Sequence, residues 1–259
     1  MKELKKAKVC LNEKIAPGIF EMDLQLPEDI QFRCGQFVDL SVGDGAHLLR
    51  RPFAVLFYDR EARIAGICYQ VKGEGTKLLS EKKEGDELSC VLSLGNGFSI
   101  GERQKRVALI GGGVGVFPLL SVLREYHESD KHFRCYMGFR SAAYVNTFGR
   151  YDHRSDALFV ATDDGSFGKK GTAVSEFFDD YAQAKPDVIL ACGPTPMLRA
   201  LKAGLQERGI SVPCYVSLEE RMGCGIGACL VCVCKTEGGK GNRRVCKDGP
   251  VFEIGEVEI

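Results

Sequence analysis

The feature that most restricts this chain is a run of thiols near its C-terminus: Cys224-Gly225-Ile226-Gly227-Ala228-Cys229-Leu230-Val231-Cys232, closed by Cys246 after thirteen further residues. The spacing C-x4-C-x2-C with a later Cys is that of plant-type [2Fe–2S] sites, where four thiolates serve two irons. A loop that gives three sulfurs to one centre must wrap its backbone around it. Gly223, Gly225 and Gly227 allow this, because glycine tolerates positive φ and close approach. A structural zinc site is the alternative, although zinc frameworks favour paired C-x2-C elements and only one pair here has that spacing. The metal ligands expected are Cys224, Cys229, Cys232 and Cys246, with Cys234 a spare thiol.

Twelve cysteines in 259 residues could instead signal a secreted disulfide framework. The N-terminus Met1-Lys2-Glu3-Leu4-Lys5-Lys6-Ala7-Lys8 is charged and followed by no apolar run, so no cleavable leader is expected. No later stretch approaches the roughly 18 apolar residues of a membrane span. A reducing cytoplasm with a metal site is the expectation. Cys10, Cys34, Cys68, Cys90, Cys135 and Cys214 stand singly in apolar or strand-like segments, as small core residues do. Lys plus Arg and Asp plus Glu each total 35, with no long block of one sign, which argues against nucleic acid as the main partner.

From residue 5 to about 100 the chain offers short strand-like runs at 37–42, 53–57 and 64–71, with one short helix near 76–81, a rhythm that predicts an antiparallel β-barrel. Beyond the polar linker Gly101-Glu102-Arg103-Gln104-Lys105 the rhythm changes. Apolar runs at 107–110, 133–139, 157–162, 188–192 and 214–218 alternate with helix-like segments at 117–127, 172–181 and 197–206, the pattern of βαβ units around a parallel sheet. From Glu219 onward there is no apolar periodicity, so the tail is expected to order around a bound metal centre. The divisions predicted are 1–101, 102–218 and 219–259.

Gly111-Gly112-Gly113-Val114-Gly115-Val116-Phe117-Pro118 lies between the run at 107–110 and a helix. Glycines there let backbone amides approach a pyrophosphate at a helix N-terminus. The cluster departs from the dinucleotide fingerprint at its last glycine, where Val116 or Pro118 stands, and a mere tight turn remains the alternative. Arg50-Arg51-Pro52-Phe53-Ala54, together with Tyr69-Gln70-Val71-Lys72-Gly73-Glu74-Gly75-Thr76, makes a plausible diphosphate cradle of a cation, amides and a hydroxyl. Taken singly, these are equally an exposed charge and an ordinary capped helix.

Jointly, Arg51-Pro52-Phe53-Ala54, Gly73-Glu74-Gly75-Thr76, Gly111-Gly112-Gly113-Val114-Gly115 and Ala191-Cys192-Gly193-Pro194 resemble the flavin and nicotinamide motifs of the ferredoxin reductase superfamily. The tail from Glu219-Glu220-Arg221-Met222-Gly223-Cys224 to Cys232, then Arg244-Val245-Cys246-Lys247-Asp248-Gly249-Pro250-Val251-Phe252, resembles the electron-transfer subunit of the B type of dihydroorotate dehydrogenase. The resemblance spans essentially the whole chain. It implies an antiparallel FAD-binding β-barrel, a Rossmann-like nicotinamide-binding domain and a small C-terminal [2Fe–2S] segment. It further implies that Arg51 meets the FAD diphosphate, that Pro52, Phe53 and Ala54 face the isoalloxazine with Tyr69, Gln70 and Val71 beside them, and that Gly73, Gly75 and Thr76 complete the cradle. NAD(H) would take Gly111, Gly113 and Gly115, with Cys192, Gly193 and Pro194 by the nicotinamide and Thr162-Asp163-Asp164-Gly165-Ser166 lining the nucleotide cleft. Leu94-Gly95-Asn96-Gly97-Phe98 also matches a family stretch, with Ser93 where Pro is usual. Ala54 stands where relatives place Ser or Thr to meet flavin N5, leaving only a backbone amide for that role.

The chemistry implied belongs to the cofactors, which the protein orients, so no side chain is nominated as a general acid or base; His47, His127, His132 and His153 are expected to be structural. The function implied is electron transfer between NAD(H) and an FMN-containing, dihydroorotate-oxidising catalytic subunit in pyrimidine biosynthesis, with two copies of each chain. NADH is expected over NADPH on the resemblance, although Gly138-Phe139-Arg140-Ser141 lacks an acid for a ribose hydroxyl. Two alternatives stand beside it: a self-sufficient NAD(P)H-dependent flavin and iron–sulfur reductase of a ferredoxin-like acceptor, and a zinc- or redox-responsive binding module without turnover.

Overall fold

The computed structural model describes residues 3–43, 45–145 and 153–259. Strands β1 (Leu4–Ala16), β2 (Ile19–Gln25), β3 (Phe37–Leu40), β4 (Arg51–Asp59), β5 (Ile64–Gln70) and β6 (Glu87–Leu94) close into a barrel in the order β1-β2-β5-β4-β3-β6, with helix α1 (Glu74–Ser80) between β5 and β6. Inward residues alternate along each strand. Ala7 and Val9 of β1, Met22 and Leu24 of β2, Val38 and Leu40 of β3 and Ile67 of β5 fill one apolar core. The run expected at 37–42 ends as a strand at Leu40. β1, β2 and β6 are additions to the sequence reading, because outward charges such as Lys6, Lys8 and Glu87 dilute their alternation.

The second layer is built from β7 (Arg106–Gly112), α2 (Val116–Glu125), β8 (His132–Phe139), β9 (Ala157–Thr162), the two-residue β10 (Lys169–Lys170), α3 (Ala173–Ala184), β11 (Val188–Cys192), α4 (Thr195–Glu207) and β12 (Cys214–Ser217). On β7, Val107 and Leu109 pack towards α2, whereas Ala108 and Ile110 pack towards α3 and α4. The sheet is therefore covered on both faces, as a parallel sheet requires. α3 starts at a Thr172 cap, whose Oγ1 accepts the Ser175 amide at 3.1 Å, so the helix begins one residue after the expected 172.

In the tail, β13 (Val233–Lys235) and β14 (Asn242–Arg244) form a small antiparallel pair, and β15 (Val251–Glu253) adds an antiparallel edge to the sheet beside β12, giving the order β10-β9-β8-β7-β11-β12-β15. The tail also has an apolar cluster that its sequence pattern does not announce. Cys232, Val245, Cys246, Phe252 and Val257 pack with Phe37, Val91 and Leu94 on the outer face of the barrel. β3 is consequently buried on both faces.

Candidate electron-transfer site

Strands β4 and β5 pair from Asp59↔Ile64 as far as Val55↔Ile67 and then part. The gap between them opens a slot of about 280 Å³ lined by Arg51, Pro52, Phe53, Ala54, Tyr69, Gln70 and Thr76. The Tyr69 ring leans on Phe53 with centroids 5.3 Å apart, and its hydroxyl donates to Asn12 Oδ1 at 2.9 Å. Gly75 lies beneath the Arg51 guanidinium, where an added Cβ would come within 2.5 Å of Nη2. A side chain there would push the guanidinium aside. Arg50 turns the other way and binds the Ser89 carbonyl and hydroxyl at 2.6 and 2.8 Å, so it braces the barrel.

The hydroxyl of Thr76 is engaged by its own helix. It donates to the Gly73 carbonyl at 2.9 Å and accepts the amides of Lys72 and Gly73 at 2.9 and 3.2 Å. Of the expected cradle, Arg51 and Thr76 line the slot, Gly75 seats the guanidinium, and Gly73 opens the helix. Val71 packs against the barrel core.

Strand order reverses between β7 and β11, and the crevice beyond the carboxyl ends of strands at such a point is where α/β sheets bind ligands. A second cleft, of about 360 Å³, lies there, lined by Gly112, Gly113, Arg140, Asp163, Thr172 and Pro194. Gly113 has φ +55° and nothing within 4 Å of a would-be Cβ, so its backbone faces open cleft. Gly111 and Gly115 do other work. A Cβ on Gly111 would press on Met137 Sδ at 2.9 Å, and one on Gly115 would run into the Cys192 backbone. The loops after β7 and β11 thus lie against each other, with Gly193 facing Met197. Gln70, Val114 and Phe117 line both slot and cleft, so the two share a wall.

Cys192 is buried at the slot; burial, then the charge of Glu219, pushes its thiol up to about 12. Glu219, Glu220, Met222 and Pro250 complete the slot's far side, which the sequence reading did not assign. Their signal was position: Glu219 and Glu220 follow β12, at the ligand-binding edge of the sheet.

The four expected ligands among the tail's five cysteines fall into two pairs. Cys224 Sγ accepts the amides of Ala228 and Cys229 at 3.3 and 3.4 Å, and Cys229 Sγ accepts the Cys224 amide at 3.3 Å. Cys232 Sγ accepts the Cys246 amide at 3.4 Å. Burial alone would raise the Cys224 thiol, but the N–H donors of Ile226, Cys229 and Ala228, together with the Cys229 thiol, outweigh it and pull the group down to about 6. Burial and the adjacent Cys232 sulfur push Cys246 up to about 12. Among the described residues no three ligating side chains converge as around a single metal ion. Arg244 grips Asp248 through Nε and Nη2 at 2.9 and 2.8 Å, pinning the turn that carries Cys246. Cys234 Sγ lies near the Arg243 carbonyl at 3.7 Å and is buried in the same apolar cluster as Cys232 and Cys246.

Residues 219–258 match the family model for the iron–sulfur cluster binding domain of dihydroorotate dehydrogenase B. Along the whole chain, the electron transfer subunit of dihydroorotate dehydrogenase B (NAD(+)) from Bacillus pumilus is 39% identical, over 97% of this chain and 96% of that protein. The chain belongs to this family. The Streptococcus pneumoniae member is 38% identical over the full length of both chains. Among solved structures, an NADH-dependent reduced ferredoxin-NADP oxidoreductase superposes with a TM-score of 0.85 at 30% identity, covering 97% of this chain and 89% of its own. The Amycolatopsis cytochrome P450 reductase shares the fold, with a TM-score of 0.69 at 24% identity over 82% of this chain and 68% of its own. A dihydroorotate dehydrogenase B electron-transfer subunit is thus an oxidoreductase component built on a ferredoxin reductase frame. Among the described residues no helix is long and apolar enough to cross a membrane.

Proposed function

We propose that this chain relays electrons between NAD(H), FAD and a [2Fe–2S] cluster, and from there to the FMN of a catalytic subunit that interconverts dihydroorotate and orotate in the cytoplasm, two copies of each chain forming the working unit. The observation that carries this reading is the slot between β4 and β5. One wall, through Gln70, Val114 and Phe117, is shared with the nucleotide cleft, and another, through Glu219, Met222 and Pro250, belongs to the cluster segment. A group held there would meet both neighbours.

Arg51, seated on Gly75, would hold the FAD diphosphate, while Pro52, Phe53, Ala54 and Tyr69 would flank the flavin ring. Gly112, Gly113 and Pro194 would hold the nicotinamide nucleotide, with Arg140 and Asp163 in the same cleft. Asp163 supplies the acid that the 138–141 segment lacks, which supports NADH as the donor. Cys224 with Cys229, and Cys232 with Cys246, would each hold one iron. When bound, the flavin accepts electrons in pairs and the cluster carries them singly. The protonated Cys192 thiol adds no charge of its own to the slot.

The cluster loop suits a partner. Ile226, Leu230 and Val231 are 48%, 62% and 54% exposed between and beside the ligands, and exposed apolar side chains grouped in this way mark association surfaces. Purified alone, the chain is expected to reduce artificial acceptors with NADH and to leave orotate untouched. Coexpression with an FMN-bearing dihydroorotate dehydrogenase subunit should restore NADH-dependent orotate reduction. Turnover of orotate by the isolated chain would contradict the division of labour.

The 30% identity to an NADH-dependent reduced ferredoxin-NADP oxidoreductase favours a second reading, a reductase of a ferredoxin-like acceptor. The absence of a copurifying FMN subunit, with rapid ferredoxin reduction, would select it.

A further inference from the structure

We propose that Asp39 sets the driving force of the internal electron step: its carboxylate, sealed beneath the cluster loop, holds the cluster's reduction potential below the value it would have over a neutral side chain. The proposal rests on the reading that Cys224, Cys229, Cys232 and Cys246 hold a [2Fe–2S] cluster.

Asp39 sits on β3 opposite Pro52 of the flavin strand and Val91 of β6. Its neighbours Val38 and Leu40 point into the barrel core, so Asp39 points outward, as Phe37 does. The cluster segment covers that face and leaves Asp39 only 1% exposed. Oδ2 lies against the cluster loop itself, since a Cβ on Gly225 would stand 2.7 Å from it. Oδ1 has no hydrogen-bond partner among the described residues. The nearby cations are committed elsewhere: Arg50 binds Ser89, and Arg51 binds the Leu49 carbonyl.

Burying a carboxylate oxygen without a donor is costly, and an apolar side chain would fill this place more cheaply. Phe37, two residues away on the same face, packs among Cys232, Cys246 and Leu94. Asp39 therefore contributes a charge that packing does not call for. Burial raises its pKa to about 6, against the pull of Arg50 and Arg51, which leaves the carboxylate ionised in mildly alkaline solution.

A cluster that accepts an electron gains negative charge, and a fixed anion in a poorly solvated site opposes that gain with a strength that falls with distance. Asp39 touches the loop that carries Cys224. It does not line the slot that would hold the flavin. The anion therefore bears harder on the cluster than on the flavin, and it narrows the downhill step from one to the other.

Potentiometric titration of the holoprotein at pH 8, with the reduced cluster followed by electron paramagnetic resonance and the flavin by absorbance, reads both potentials. Asp39→Asn keeps the shape and removes the charge. The expected result is a rise in cluster potential relative to flavin, so that the ratio of reduced to oxidised cluster at a fixed ambient potential grows on the order of tenfold, with iron and sulfide content unchanged. A cluster potential that stays put or falls, or a flavin potential that rises by the same amount, overturns the proposal. Should the Asn variant lose its cluster, Asp39→Ser is read in the same way. Loss of the cluster in both neutral variants with retention in Asp39→Glu would reduce Asp39 to a structural part and overturn the proposal. Wild-type protein without iron and sulfide would instead sink the cluster assignment.

Discussion

At Gly115 an added methyl would meet the Cys192 carbonyl and the Gly193 Cα, whereas at Gly113, two residues earlier, it would meet nothing. The sequence shows both as members of one glycine run after a strand, which is enough to locate a cleft and not enough to divide the labour within it. That division depends on the loop after β11, almost eighty residues away. Gly115→Ala should therefore cost about 1–3 kcal/mol, the usual range for overpacking, and a lower urea midpoint would register it. Gly113→Ala should strain only the local backbone, since φ is +55°. The expected cysteine ligands rest instead on spacing, which is a local property of the sequence. Cys246→Ser should abolish the visible cluster absorption and Cys234→Ser should leave it intact, as iron and sulfide assays on anaerobically purified protein would show. Ser93 illustrates a departure that only the fold explains. Its φ of +52° is closed to the proline usual there, whose ring holds φ near −65°.

Among the elements, the βαβ half was readable almost strand by strand, because buried parallel strands are continuous apolar runs; 157–162 and 188–192 agree with β9 and β11 at both ends. The barrel was harder, since its strands are half solvated and their register is non-local. What joins β7 to β11 at their starts was invisible in sequence. Asp187 accepts the amides of Lys105 and Arg106 at 3.0 and 2.9 Å and the Arg106 guanidinium at 2.7 Å. The Arg106 side chain and backbone amide hold the Asp187 carboxyl at about 2. A carboxylate with a depressed folded-state pKa stabilises the protein above its unfolded value, near 4, and that contribution drains away as pH falls from about 4 towards 2. The side chain is 27% exposed, so solvent screening reduces the contribution to about 1 kcal/mol. Asp187→Asn should lower stability by that amount at pH 7 and leave it almost unaltered at pH 2, measured by denaturant titration at both pH values.

For the molecule as a whole, the cluster segment is held at both ends by the α/β layer, through β12 before it and β15 after it. Between those anchors it reaches across to the barrel. Asn96, from the Leu94-Gly95-Asn96-Gly97-Phe98 stretch, receives the tail in its turn: its amide donates to the Gly249 carbonyl at 2.6 Å, and its side chain to the carbonyls of Lys247 and Asp248, both at 3.2 Å. Chelating the iron should accordingly raise hydrogen exchange in the tail and also at Asn96 and in β3 of the barrel, while the far strands β8 and β9 keep their protection. Exchange confined to residues 223–246 would contradict this coupling. The appendage therefore acts as a strap across the seam between the two larger bodies. A chain strapped in this way cannot easily swing its nucleotide half away from its flavin half during each turnover. It would work as a rigid relay, whose pace is set by the docking and release of its visitors, and grafting its tail onto another reductase would fail unless both anchorages moved with it.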